Sequence, residues 1–236
     1  MRTVTRHRLG ALDAAVGELS KPAQELADSV GATGELKRLL EVRVPELIAY
    51  QSARYAREYV DVVRRVLDAE AAAVPGESRL SEAVARHLFK LMAYKDEYEV
   101  ARLHLDADIA RALAAEFPGG VTLHYNLHPP ILRALGVTRK IKLGTWFTPI
   151  FGALARMKVL RGTFLDPFGF AEVRRVEREL RAEYRGLVDK ALVGLSPESY
   201  ERAVKLASLP DLIRGYEDIK LRNVQRFRDE VRALGF

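Results

Sequence analysis

The sequence predicts a mainly α-helical domain with a small β-hairpin inserted near its middle. Apolar residues recur at helical spacing over most of the chain after residue 35. Over residues 121–128 the period changes, and apolar and polar residues alternate strictly, as they do in a half-buried strand. Hydrophobic residues make up 48% of the chain and charged residues 30%, which is the balance of a folded globular protein.

Residues 1–34 are predicted to form a loosely attached N-terminal segment, and residues 35–236 a single mainly helical domain. The first segment is alanine-rich, is interrupted at Pro22 and ends in Gly31 and Gly34. A clear helical period begins only after it.

The first half of the domain is predicted to be a series of helices. One begins at residue 35 and ends at Pro75-Gly76; Pro45 either kinks it or begins a second helix, because proline lacks an N–H group. A long helix is predicted over 80–105 and a short one over 106–117.

The middle of the chain contains the predicted hairpin. The strand at 121–128 ends at two prolines, which cannot donate to a ladder, and residues 140–143 are a candidate second arm. Residues 145–160 are predicted to be helical, and residues 143–155 carry no charge. Farther on, helices are predicted over 171–193, from Ser196, and over 217–234.

Composition excludes several classes of site. The chain has no cysteine, which excludes cysteine-ligated clusters, thiol nucleophiles and disulfides. No apolar run approaches the roughly 18 residues that cross a bilayer, and Asp13 and Glu18 interrupt any signal-peptide pattern, so we expect a cytoplasmic protein that does not contact a membrane. The net charge of +6 comes from interleaved signs and favours a solvated surface over nucleic-acid binding. The familiar nucleotide and hydrolase motifs are absent.

A candidate polar site combines a charged helix face with two histidines. Lys95, Glu99 and Arg102 lie at i, i+4 and i+7, and form either a solvated helix end or a buried ion network. His124 and His128 share one face of the predicted strand; they form a polar outer face, or, with a third ligand, a metal site. No metal, cofactor or catalytic residue is predicted from these patterns.

A candidate docking surface follows from the uncharged helix. Its apolar stripe is either core or a partner surface, and an aromatic turn at 164–170 follows it. The stripe consists of Trp146, Phe147, Ile150, Phe151 and Leu154.

Four segments of the sequence carry a combined pattern: LFKLMAYKDEYEVARL at 88–103, LHYNLHPP at 123–130, RGTFLDPFG at 161–169 and SLPDLIRG at 208–215. Together they resemble the functionally uncharacterised C-terminal domain of fused indolepyruvate ferredoxin oxidoreductases, and the resemblance extends from about residue 41 to the end. The first and third segments are the specific ones.

The resemblance implies membership of a 2-oxoacid:ferredoxin oxidoreductase system, whose catalytic chains use thiamine diphosphate and iron–sulfur clusters. This sequence lacks the thiamine-binding domains and the cluster-binding cysteines. The resemblance therefore implies no cofactor and no catalytic residue in this chain. The expected function is therefore a non-catalytic accessory subunit or domain that aids assembly or covers the catalytic chains. The chain is either a natural stand-alone subunit of a split enzyme or an excised or degenerate relative; Met1 and the first forty residues, outside the resemblance, favour the free-standing subunit.

Two other functions are compatible with the sequence. One is a stand-alone binding module for an acidic ligand such as CoA or RNA, using Arg139, Lys140 and Lys142. The other is an enzyme built on Lys95, Glu99 and His124, which requires that these residues converge in one pocket.

Overall fold

The protein is mainly helical, as the sequence predicts. The computed structural model describes residues 20–105, 111, 115–117, 125–127, 141–215 and 217–236. The elements in chain order are α1 (Lys21–Asp28), α2 (Gly34–Tyr50), α3 (Ala53–Ala73), α4 (Arg79–Met92), α5 (Glu97–His104), β1 (Tyr125–Leu127), β2 (Ile141–Leu143), α6 (Thr148–Arg156), α7 (Glu172–Val193), α8 (Pro197–Ser208) and α9 (Glu217–Ala233), with 3-10 turns at Thr145–Phe147, Met157–Leu160 and Leu209–Leu212.

Contacts divide the chain into two compact units. The first unit is Met1–Ala93 with Arg175–Phe236, and the second unit is Tyr94–Arg174. The sequence predicts one domain over 35–236, without this division. No helix among the described residues is both long enough and apolar enough to cross a bilayer.

The first unit is organised around α4. This helix contacts α2, α3 and α8, and its apolar face is fully buried at positions such as Val84 and Leu88. α1 belongs to the segment predicted to be loosely attached, yet it contacts α2 and α3, and Ala23 and Ala27 are buried in the core. These residues supply the apolar burial that stabilises a helical unit.

The break in the first predicted helix lies after Pro45, not at it. Pro45 lies inside α2, which continues to Tyr50. The chain then turns at Gln51 and Ser52, and the Ser52 side chain caps α3 by accepting a hydrogen bond from the Tyr55 N–H at 3.2 Å. Pro45 therefore does not begin the second helix, which starts after the Ser52 cap.

The predicted helix over 80–105 is also divided. α4 ends at Met92 and α5 begins at Glu97, so residues 93–96 separate two helices. The helical apolar period continues through this break, but the Asp96 side chain accepts a hydrogen bond from the Glu99 N–H at 2.8 Å and starts a new helix. The cap at Asp96 therefore divides the helix that the apolar period predicts as continuous.

Two short strands pair antiparallel in the region of the predicted hairpin, with Tyr125 opposite Leu143 and Leu127 opposite Ile141. The rest of the predicted strand and the connection between the arms lie outside the described residues, so an inserted hairpin stays a prediction. The same holds for most of the helix predicted over 106–117.

The C-terminal helices begin and end close to their predicted positions. Ser196 and Ser199 form a capping box at the start of α8, which confirms the helix start predicted at Ser196. The turn after α8 is held by α4, because the Lys90 ammonium donates to the Pro210 carbonyl at 2.8 Å.

A buried carboxylate, that of Glu70, caps the N-terminus of α4. The Ser78 side chain does not cap this helix; instead Glu70, which is fully buried on α3, accepts from the Leu80 N–H at 2.8 Å and the Ser81 N–H at 3.0 Å. The Tyr200 hydroxyl donates to the same carboxylate at 2.6 Å, so α3, α4 and α8 share one anion. A carboxylate at a helix N-terminus also interacts favourably with the helix dipole.

We expect Glu70→Gln to lower the free energy of unfolding by about 2 kcal/mol, because an amide nitrogen cannot accept from a buried N–H. The measurement is urea unfolding followed by circular dichroism. Glu201→Gln is the matched control, since Glu201 pairs with Arg79 on the surface, and we expect less than about 0.5 kcal/mol from it. Equal losses in the two variants would contradict the role assigned to Glu70.

His87 on α4 makes the first unit sensitive to acid. Burial, and then the neighbouring Lys90 ammonium, lower the pKa of His87 to about 4; Asp211 opposes this shift, and Arg43 and Arg86 add to it. The folded protein therefore keeps the ring neutral where the unfolded chain binds a proton. Because the unfolded state binds more protons, stability is complete above the unfolded pKa and is lost as pH falls from about 6.5 toward about 4.

We expect the protein to lose about 1 kcal/mol of stability between pH 7 and pH 5 through His87, a value reduced for the partial exposure of the ring. His87→Gln removes this titration and should flatten the pH dependence of the urea midpoint. An unchanged slope in the variant would assign the acid sensitivity to other groups.

Candidate functional site

The second unit contains a buried ion pair between α5 and the segment after α6. The Arg161 guanidinium donates two hydrogen bonds to Asp96, from Nε at 2.5 Å and from a terminal nitrogen at 2.9 Å. Both side chains are almost completely buried, and the Arg161 guanidinium lies 5.5 Å from the centre of the Tyr98 ring. The same Asp96 caps α5, so one carboxylate fixes both a helix start and a distant turn.

A second buried carboxylate organises the loop that follows. Asp166 accepts from the Gly162 N–H at 2.9 Å, the Phe168 N–H at 3.1 Å and the Tyr98 hydroxyl at 2.9 Å. The Tyr98 ring also packs edge-on against Phe168 at 5.2 Å. We call residues 161–170 the Asp166 loop.

Two glycines allow the Asp166 loop to close. Gly162 has φ +75°, a backbone conformation that residues with a Cβ rarely adopt. A Cβ on Gly169 would lie 3.0 Å from an Asp166 carboxylate oxygen, closer than ordinary packing allows. The loop therefore has a fixed shape set by its own sequence and by α5.

The charged face predicted on the helix forms a partly buried ion pair. Arg102 donates two hydrogen bonds to Glu99, at 2.8 and 2.9 Å, and Glu99 is buried. Burial, and then the nearby guanidinium groups of Arg102 and Arg161, lower the pKa of Lys158. Of the two interpretations of this face, the structure supports the buried network for Glu99 and Arg102.

The other members of the predicted polar site do not join this network among the described residues. Lys95 is exposed, and His124 and His128 lie outside the described residues. Asp96, Tyr98, Arg161 and Asp166 were not predicted as site residues. The available signal was the Asp96-x-x-Glu99 pattern of a helix N-terminus; the partners on the Asp166 loop had no local signal.

The predicted docking stripe is divided between the interior and the surface. Phe151 is 2% exposed and stacks on His104 at 4.9 Å, with Phe147 edge-on to it at 5.0 Å. Trp146 and Ile150 point to solvent, at 66% and 42% exposure, and Leu154 is half-buried. A charge at Phe151 would therefore disrupt the core of the unit, and Ile150 is the position that tests docking.

Exposed apolar side chains are concentrated in the second unit. Of the ten large apolar side chains exposed among the described residues, eight lie in this unit, although it spans about a third of the chain. Three of the eight belong to the Asp166 loop: Phe164 is 86% exposed, and Leu165 and Phe170 are exposed as well. A clustered set of exposed apolar residues marks an interaction surface rather than scattered surface variation.

The buried carboxylates described in the second unit are already engaged in hydrogen bonds. Each carboxylate in the Asp96, Glu99 and Asp166 group already accepts from an arginine, a tyrosine or backbone N–H groups. No group of three metal-ligating side chains occurs among the residues that the structure describes. The described part of this unit exposes the apolar side chains named above.

We expect Asp96→Asn to destabilise the second unit by about 3–5 kcal/mol, because it leaves the Arg161 guanidinium buried without a counter-charge. The measurement is hydrogen exchange at the amides of α5 and the Asp166 loop, where protection should fall. Asp189→Asn is the matched control, since Asp189 pairs with Arg65 on an exposed surface. Retained protection at Gly162 and Phe168 in Asp96→Asn would contradict the dependence of the loop on this pair.

Comparison with known protein families shows to which family the chain belongs. Residues 36–233 match one family over most of the chain, and its description is "Family of unknown function (DUF6537)". Searches of curated proteins and of solved structures found no match. The chain belongs to this family, DUF6537, and the match covers the whole second unit and most of the first.

Proposed function

We propose that this protein is a non-catalytic accessory subunit or domain that docks, through its second unit, on the catalytic chains of a 2-oxoacid:ferredoxin oxidoreductase. The observation that carries the docking function is the Asp166 loop, a segment of fixed shape that exposes Phe164, Leu165 and Phe170. The resemblance of four segments to the C-terminal domain of fused indolepyruvate ferredoxin oxidoreductases supplies the choice of partner.

The fixed shape of the loop supports docking on physical grounds. Association costs free energy when loops and side chains must be ordered, and a loop that is already ordered avoids much of that cost. The Asp166 carboxylate and the Asp96–Arg161 pair hold the loop before any partner arrives. Aromatic side chains such as Phe164 and Phe170 are of the residue type that is enriched in the cores of protein interfaces.

Polar residues in the segments that carry the resemblance make structural contacts within each unit. Asp96 and Tyr98 from the segment at 88–103 bind Arg161 and Asp166 from the segment at 161–169. In the first unit, Lys90 binds the backbone of the segment at 208–215. These polar side chains hold each unit together, which agrees with an accessory part rather than a reaction centre.

The other two functions lack a comparable observation. Arg139 and Lys140 lie outside the described residues, and Lys142 is described only as part of β2. An enzyme built on Lys95, Glu99 and His124 needs a free Glu99 carboxylate, but Glu99 is paired with Arg102.

The test is co-purification of the tagged chain from its source cells, with partner chains identified by mass spectrometry. We expect chains that bind thiamine diphosphate and iron–sulfur clusters in fixed ratio. Ile150→Ser and Phe164→Ser should each lower their recovery about tenfold, because each removes an apolar anchor.

Val193→Ser is the matched control. Val193 is 90% exposed on the first unit, so this change removes an exposed apolar side chain outside the proposed surface. Circular dichroism establishes that all three variants are folded. Recovery of the tagged chain alone, or equal loss of partners in the Val193 variant, would contradict the proposal.

A further inference from the structure

The apolar core of the first unit is assembled from two separate parts of the chain. Its buried members lie within residues 23–92 and within residues 180–231. Polar contacts join the same two parts, because the Tyr200 hydroxyl of the second part donates to the buried Glu70 carboxylate of the first. The residues between the two parts, 94–174, form the second unit. The first unit therefore closes across this intervening sequence with side chains of its own.

Each unit caps its own helix where the chain passes from the first unit to the second. α4 ends at Met92, and the Tyr55 hydroxyl on α3 donates to the Met92 carbonyl at 3.0 Å. That carbonyl is one of the last four of the helix, which have no partner within the helix itself. On the other side, the Asp96 side chain caps α5 through the Glu99 N–H. The two helix ends at this junction are thus stabilised by residues of different units.

The chain returns to the first unit within α7, which continues past Arg174, the last residue of the second unit, without a break. Arg174 pairs with Glu97 of its own unit. About two turns later the helix is held in the first unit. There the Leu180 side chain is buried in the core, and the Arg181 guanidinium lies 5.3 Å from the centre of the Tyr55 ring. Tyr55 therefore contacts both the helix that leaves the first unit and the helix that returns to it.

The first unit thus has a core and a capped helix end that are both made from its own residues. We infer that the second unit is an insertion that opens as a separate cooperative unit while the first unit stays folded, and that Tyr55 ends the opening at the junction. Native proteins open in contiguous cooperative segments, and a helix end frays unless a cap or packing holds it. The inference goes beyond the proposed docking function and stands without it.

The test is hydrogen exchange of the whole folded chain, measured amide by amide. Asp96→Asn opens the second unit, because it leaves the Arg161 guanidinium buried without a counter-charge. We expect exchange in α5 and the Asp166 loop to become at least about a hundredfold faster. The amides of Val84 and Leu88, at the centre of α4, should keep their wild-type rates. In α7 the faster exchange should end before Leu180, where the helix joins the core of the first unit.

Tyr55→Phe tests the role of the junction. This variant keeps the aromatic ring but loses the hydroxyl that binds the Met92 carbonyl. The Ala93 N–H closes the last turn of α4, and its exchange should become about fivefold faster, because one net hydrogen bond is lost. Combined with Asp96→Asn, the same change should extend the fast exchange into that last turn. Tyr59→Phe is the matched control, since it removes a hydroxyl that α3 donates to the middle of α4, and it should leave the Ala93 rate unchanged.

Glu70→Gln is the positive control for the first unit. It weakens the cap that joins α3, α4 and α8, so it should speed exchange at Val84 and Leu88 and show that these amides report on their own unit. If Asp96→Asn speeds exchange at Val84 and Leu88 as much as in α5, the two units open together and the inference is overturned. If Tyr55→Phe adds nothing to Asp96→Asn in the last turn of α4, Tyr55 does not end the opening.

A second measurement decides the question if the second unit stays closed in Asp96→Asn. Exchange of the wild-type chain is then followed at rising urea concentrations below the unfolding transition. An opening of the second unit that has a smaller urea dependence than the opening of the α4 centre exposes less surface, and supports the inference. A single opening with the same free energy and the same urea dependence in both units overturns it.

Discussion

The Asp96–Arg161 ion pair joins two parts of the second unit that are far apart in the chain, α5 and the turn after α6. Among the described residues of this unit, the fully buried apolar side chains are Tyr98, Ala101 and Phe151, and they are accompanied by three buried carboxylates. The described part of the first unit has a continuous apolar core. In the described part of the second unit, charge-assisted hydrogen bonds therefore contribute directional contacts beside the apolar ones.

The sequence predicts the helices better than the breaks between them. Helical periodicity identifies the apolar faces of α2, α3 and α4, but it continues unbroken through residues 93–96, where the cap at Asp96 divides the chain. A helix cap depends on one side chain, whereas helical periodicity is judged over ten or more residues, so a single capping residue hardly changes the pattern. The cap at Ser196 was predictable because proline and an acid follow it directly.

The sequence predicts which residues of the candidate docking surface are apolar, but not which of them face the interior. The uncharged stripe is visible in the sequence, yet nothing local indicates that Phe151 faces inward and Ile150 outward. The partners of Asp96 and Tyr98 are more than 60 residues away in the chain. Pairings of this kind follow from tertiary structure alone, so the sequence predicts an aromatic turn at 164–170 but not the hydrogen bonds that hold the Asp166 loop.

The exposed apolar residues of the Asp166 loop have a second consequence, for contacts between identical copies of the chain. Phe164 is 86% exposed, so it can pack against its counterpart on another molecule. Because burial of apolar surface drives such contacts, the free protein should self-associate as its concentration rises. A partner that covers this surface would therefore also keep the chain dispersed.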